Sequence, residues 1–186
     1  ETLAARAAGD FDIAEITLHA PVTRPRKILG IGLNYADHIA ESGMAIPTEQ
    51  VWFAKAATAA NGPFANVELP RVSTQLDYEA ELAFVIGQRC KHVPIHKAHE
   101  VIFGYCVAND LSVRDWQLKS SQFVIGKSFD THCPFGPWLV TPDEVGDPHT
   151  LGIRATVNGE TRQYSNTSEL IFNCFEQVAF LSQAMT

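Results

Sequence analysis

Apolar and polar positions alternate in short runs along most of this chain, and few stretches carry a helical period. Lys27-Ile28-Leu29-Gly30-Ile31-Gly32 predicts a buried strand closed by glycine, and 51–54 predicts another. Leu76–Ile86 predicts a strand that stops at Gly87; 104–108 and 123–127 predict two more, and 134–140 is extended. Ile153–Val157 and Glu160–Tyr164 flank Asn158-Gly159, a hairpin signal because both central residues tolerate positive φ. Helical spacing is confined to 34–43, with Asn34 as N-cap and Gly43 as stop, to 96–103 after Pro94, and to 111–119. A further helix follows the cap-rich 165–168, with Leu170, Ile171, Cys174, Phe175, Val178 and Leu181 on its apolar face. Residues 1–24 predict a short helix and then an edge strand around Ile13, Ile16 and Leu18, while Asn61-Gly62-Pro63 is a loop. No repeat or linker divides the chain. The pattern is that of one α+β domain, mainly β, with a rolled or barrel-like sheet.

One strand breaks its own pattern. Side chains alternate along a strand, so Asp77, Glu79 and Glu81 share a face that Ala83 and Val85 continue as apolar. Neighbouring carboxylates that lose water repel one another and need compensation. A divalent cation that prefers oxygen supplies it. Asp110, at the end of the apolar run Tyr105–Ala108, is the third candidate ligand beside Glu79 and Glu81. Three carboxylates with water suit Mg²⁺ or Mn²⁺, and Ca²⁺ less tightly. Solvated acids at a strand start are the plain alternative.

Bulk composition narrows the classes. A hydrophobic fraction of 46% over 186 residues allows a real core, and a net charge of −7 argues against a nucleic-acid partner. No apolar run reaches the roughly 18 residues of a membrane span. Cys90, Cys106, Cys133 and Cys174 are widely spaced, without a CxxC pair, and read as reduced thiols of an intracellular, cytoplasmic protein. The three tryptophans, Trp52, Trp116 and Trp138, are most simply core. Glu1 and Thr186 both look like cuts rather than natural ends.

Three further groups carry possible chemistry. His38 and Glu41 stand three apart on a short helix, where a carboxylate can orient an imidazole as a general base; an ordinary surface pair is the more common outcome. Lys127 closes an apolar run and could stabilise a carboxylate or enolate, or simply snorkel. Arg114 and Gln117 lie on one face if 111–119 is helical; Arg114 could grip a substrate carboxylate in two places or serve as partner to an acid such as Asp115.

Eight motifs then occur in order: Gly32–Glu41, Asp77–Leu82, Gly104–Asp110, Arg114–Gln117, Gly126–Asp130, Cys133–Trp138, Asp147–His149 and Val157–Glu160. From about Lys27 to the last residue the chain resembles the fumarylacetoacetate hydrolase family, in particular its single-domain acylpyruvase-like and hydroxyheptadienedioate isomerase-like branch. The resemblance implies a mixed β-sandwich or rolled barrel with short flanking helices, usually a homodimer, with 1–24 as an extension and 25–186 as the catalytic domain. It implies Glu79, Glu81 and Asp110 as metal ligands, His38 and Glu41 as a lid dyad that activates water, and Arg114, Gln117 and Lys127 as pocket residues. Relatives continue past the position of Thr186 into a segment that lines the pocket, so part of the domain is expected to be missing here. The run 55–59 replaces a Lys-Pro-Ser/Thr pattern, so no polar substrate contact is expected from that loop.

The implied activity is metal-dependent hydrolysis of a carbon–carbon bond in a 2,4-diketo acid, with His38 deprotonating water and the ion and Lys127 stabilising the departing enolate. Decarboxylation of oxaloacetate and isomerisation of a hydroxydienedioate use a similar site. The rival from another class is a metal-binding interaction domain that needs no His38. The expected partner is a small ketoacid, with neither nucleic acid nor membrane.

Overall fold

In the computed structural model, residues 13–186 are described; the helix expected near the start lies outside them. Before β1 the described chain holds one short 3-10 turn, Ile13–Glu15, and no edge strand. Pro21 and Pro25 deprive that stretch of ladder donors.

The order that follows is β1 (Ile28–Gly32), α1 (Ala36–Ser42), β2 (Val51–Lys55), β3 (Ala60–Asn61), β4 (Leu76–Asp77), β5 (Ala80–Ile86), β6 (Ile102–Asn109), β7 (Ser112–Val113), α2 (Arg114–Gln117), β8 (Cys133–Val140), α3 (Pro142–Val145), β9 (Gly152–Val157), β10 (Glu160–Asn166) and α4 (Cys174–Ala184). A four-stranded sheet runs β3-β8-β6-β5, flanked by the pairs β1–β2, β4–β7 and β9–β10. The β5–β6 and β6–β8 pairs are antiparallel, and β3–β8 is parallel. The architecture is α+β and mainly β, as expected.

The core gathers Val93, Ala98, Ile102, Tyr105, Cys174 and Val178, with Leu82 and Phe84 packed against it. It joins α4 and the 3-10 segment Ile95–Val101 to the β5–β6 ladder. Helix α4 starts later than its apolar spacing suggests, because Asn173 and Glu176 form a capping box at Cys174. The β9–β10 turn is as expected, with φ of 52° at Asn158 and 83° at Gly159.

Several expectations need correction. Asn34 does not cap α1: its side chain bonds both the N–H and the carbonyl of Phe172, and Tyr35 takes the cap position. Gly43 does end α1, at φ 65°. The segment 96–103 is a 3-10 helix ending at Val101, and Phe103 belongs to β6. The helix expected over 111–119 is confined to α2, because Ser112 and Val113 pair with β4. Residues 123–127 wind into turns instead of a strand: Lys127 N–H reaches Phe123 O, Ser128 N–H reaches Ile125 O, and Gly126 O accepts from Val113. Gly126 also lies against the Gln117 backbone, where a Cβ would fall 2.3 Å from the amide nitrogen. Trp138 is exposed on β8, not core. Cys106, Cys133 and Cys174 are buried and Cys90 half-buried, all unbridged.

Candidate active site

The acid segment is not one strand. It breaks between β4 and β5, because Glu79 leaves the ladder: its N–H donates to the Asn109 side chain, and its carbonyl accepts from Asp110 N–H at 2.8 Å. Asp77 therefore pairs across β7, Glu81 sits in β5 opposite Ala108, and the shared face is lost. The break has a use. It brings the carboxylates of Glu79 and Asp110, from two strand ends, onto one cation.

That cation is Lys127. Its Nζ lies 2.6 Å from Glu79 Oε2 and 2.9 Å from Asp110 Oδ2, and its side chain is 2% exposed. The turn at 123–127 delivers it from below Phe53, whose ring centroid is 4.9 Å from Nζ. Lys55, at the end of β2, donates to Asp110 Oδ1 at 2.6 Å and to Leu111 O. Arg114 bonds Asp77 through Nε, and Glu79 and Gln117 through Nη1. Asp115 is not its partner; it accepts from Ser73.

Four acids thus face three cations, and the surplus falls on Glu81. Burial, then the charges of Glu79 and Asp110, push its carboxyl well above the usual glutamate range, with Lys127 opposing. Burial also disfavours the charged form of Asp110, but Lys55 and Lys127 outweigh it and hold its pKa below the ordinary value. Arg114 is likewise half-buried, and Glu79 and Asp77 raise its pKa despite that burial.

As placed, no three His, Cys, Asp or Glu side chains among the described residues form a metal-ligating group. Glu79 and Asp110 converge on Lys127, with Arg114 also holding Glu79, and Glu81 makes no ion pair with that cluster among the described residues. The donor chemistry nonetheless fits a hard divalent ion. Glu79 and Asp110 already share one positive charge, and Glu81 lies beside them uncompensated. An ion and the Lys127 ammonium would compete for the same two oxygens.

His38 and Glu41 are exposed on α1, and no hydrogen bond joins them among the described residues; the backbone N–H of His38 donates to the Asp37 carboxylate. The helix buries Ile39. Arg114 bonds Asp77, Glu79 and the Gln117 side-chain oxygen, so its present work is to hold Glu79, with Gln117 as its own partner. Sequence reasoning does not single out Lys55, in a loop from which no substrate contact is expected, or Tyr35, which shares a cavity with Glu81. A signal existed for Lys55: like Lys127, it closes a short apolar run.

The model of the fumarylacetoacetate (FAA) hydrolase C-terminal family matches residues 27–186. The chain belongs to the fumarylacetoacetate hydrolase family. It is 46% identical over 175 residues to a protein of Bos taurus named mitochondrial oxaloacetate tautomerase FAHD2A, covering 93% of this chain and 56% of that one. The chain thus spans little more than half the length of such curated relatives. Among solved structures, 5-carboxymethyl-2-hydroxymuconate delta-isomerase of Mycobacterium smegmatis superposes with a TM-score of 0.84 at 40% identity, over 94% of this chain and 68% of that one. Maleylpyruvate hydrolase of Sphingobium sp. SYK-6, in complex with manganese and pyruvate, gives 0.80 at 36% identity, over 93% and 60%. These likenesses fix the fold as that of the family.

Proposed function

We propose that this chain carries the active site of an enzyme that forms or consumes the enol of a short 2-keto acid. A divalent ion would be held by Glu79, Glu81 and Asp110. The observation that carries the reading is the buried Lys127 ammonium bridging Glu79 and Asp110 beside an uncompensated Glu81. The manganese and pyruvate of the maleylpyruvate hydrolase relative support it.

Bound there, the cation supplies positive charge to the keto acid's oxygens. Lys127 Nζ, once freed from the carboxylates, is the buried donor able to neutralise the oxygen on which enolate charge develops. Arg114, itself bonded to the Gln117 side-chain oxygen, keeps Glu79 turned toward the site. Lys55 holds Asp110 ionised and fixed. Tautomerisation of an oxaloacetate-type acid, the activity named for the Bos taurus relative, breaks no carbon–carbon bond and needs no activated water. It moves one proton from C3 to the 2-keto oxygen, and Lys127 would stabilise the enolate charge on that oxygen between the two transfers.

The second reading is hydrolysis of a 2,4-diketo acid. The placement of His38 and Glu41 one turn apart on α1 favours it, together with the hydrolase relative. Water activation then requires the two exposed side chains to close over substrate.

Assay of the Mn²⁺- and Mg²⁺-loaded protein on oxaloacetate, acylpyruvates and a hydroxydienedioate, with His38→Ala beside the wild type, separates the two. Tautomerase activity that survives His38→Ala supports the first reading. Acylpyruvate cleavage abolished by His38→Ala supports the second. Metal binding without turnover on any substrate would leave a binding domain and overturn both.

A further inference from the structure

We infer that Gln163 is a positioning residue for the proposed metal centre: its side-chain amide fixes the main chain at Ala80, the residue between Glu79 and Glu81. The inference rests on the reading in which those two carboxylates help to hold a divalent ion. Ala80 N–H donates to Gln163 Oε1 at 2.8 Å, and Gln163 Nε2 donates to Ala80 O at 2.8 Å. A primary amide carries an acceptor beside its donors, so it can pair with both backbone groups of one residue, as a neighbouring strand would.

The topology creates the need for this grip. Strand β5 is at the edge of its sheet, with β6 on one side only. The backbone of Glu79 turns to the β6 side, where the Asn109 side chain accepts its N–H and Asp110 N–H donates to its carbonyl. Ala80 is 8% exposed, and its N–H and carbonyl go to Gln163. Backbone groups buried to that degree are destabilising when unpaired. With Gln163 in place, the main chain at 79–80 is bonded on both sides, and Glu79 and Glu81 leave it from a fixed base.

The β9–β10 hairpin is shaped to deliver the amide. Its register slips between Thr161 and Gln163, which makes Arg162 the extra residue of a bulge. A bulge re-aims the side chains that follow it. Thr161 and Arg162 are exposed, Gln163 is half-buried, Tyr164 is exposed and Ser165 is half-buried again. The inward face therefore begins at Gln163 and continues at Ser165, whose hydroxyl donates to Asp37 of α1. Without the extra residue Gln163 would share the outward face of Thr161. Functional groups must be held within about 0.5 Å of their productive geometry by the residues that support them. An amide that clamps the main chain between two ligands serves both at once.

Calorimetric titration with Mn²⁺, run on the wild type, Gln163→Met and Gly159→Ala, tests this. The Tm of each metal-free protein is the second readout, and every titration is made well below the lowest Tm. Gln163→Met keeps the length of the side chain and loses both bonds. Gly159→Ala strains the turn of the same hairpin, where φ is 83°, and leaves the amide in place. Both should lower the Tm. Gln163→Met should weaken Mn²⁺ binding by ~10-fold, whereas Gly159→Ala should bind as the wild type does. Wild-type affinity in Gln163→Met overturns the inference. Comparable losses of affinity in the two variants assign Gln163 a merely structural role in the hairpin and overturn it too. Should Gln163→Met fail to fold, a crystal structure of the Mn²⁺-loaded wild type decides: both amide bonds to Ala80 beside an ion on Glu79 and Glu81 support the inference, and an amide turned away from Ala80 ends it. A wild type that binds no Mn²⁺ removes the cation reading itself, and this inference with it.

Discussion

Lys55 donates to Asp110 across 2.6 Å, and both side chains are nearly removed from water, at 2% and 13% exposed. A buried ion pair adds little over a well-packed apolar pair, yet breaking one by deleting a partner leaves a stranded charge. Lys55→Ala should therefore lower unfolding stability by about 3 kcal/mol, the range for such deletions. Urea denaturation measures it. A change within experimental error would mean that Lys127 alone satisfies Asp110.

Glu81 gives the opposite sign. Its folded-state pKa lies above the unfolded value, so the native state keeps a proton that the unfolded chain has released. Metal-free stability should fall as pH rises from the ordinary glutamate range up through the folded pKa. Glu81→Gln removes that fall and should make the metal-free protein more stable at neutral pH. Asp110 acts on the acid side: its pKa is depressed, so its contribution is complete above the ordinary aspartate value and is lost as pH drops through the folded one. Thermal melts across pH, with and without Glu81→Gln, resolve the two limbs.

Much of this was legible in the chain, and the parts that were not share a cause. The acids at 79, 81 and 110 stand out because charge interrupts apolar runs, and the hairpin at 158–159 because its turn chemistry is local. The break at Glu79 was hidden: it depends on Asn109 and Asp110, some 30 residues away in sequence. Lys127 stands out in the sequence, but 123–127 reads as a strand because apolar content alone does not distinguish a strand from a turn packed on Phe53. The burial of Lys55 depends on Asp110, 55 residues away, and a lone lysine after a strand usually faces solvent.

Arg114 separates two roles by kinetics. It grips Asp77 and Glu79 with a planar fork that lysine cannot reproduce. If it holds Glu79 for the reaction, Arg114→Lys should lower kcat roughly tenfold with KM nearly unchanged, a loss of about 1.4 kcal/mol in the transition state. A rise in KM alone would return it to the substrate-binding role read from the sequence.

Gly126 tests the delivery of Lys127. Any Cβ there meets the Gln117 backbone, with the amide nitrogen at 2.3 Å and Cα at 2.4 Å. Gly126→Ala must push α2 and the turn apart. It should destabilise by about 1–3 kcal/mol, as overpacking does. Activity should fall further than stability explains, because the adjacent lysine is displaced. Parallel measurement of Tm and turnover shows whether the two losses differ.

The bond from Asp110 N–H to Glu79 O roots both acids in main chain on neighbouring strand ends. Helix α1, by contrast, is tied through the backbone bridge between its N-cap Tyr35 and Leu170 and through the Ser165 hydroxyl, which donates to Asp37. The charged cluster thus takes its footing from strand ends and not from the helix that carries His38 and Glu41.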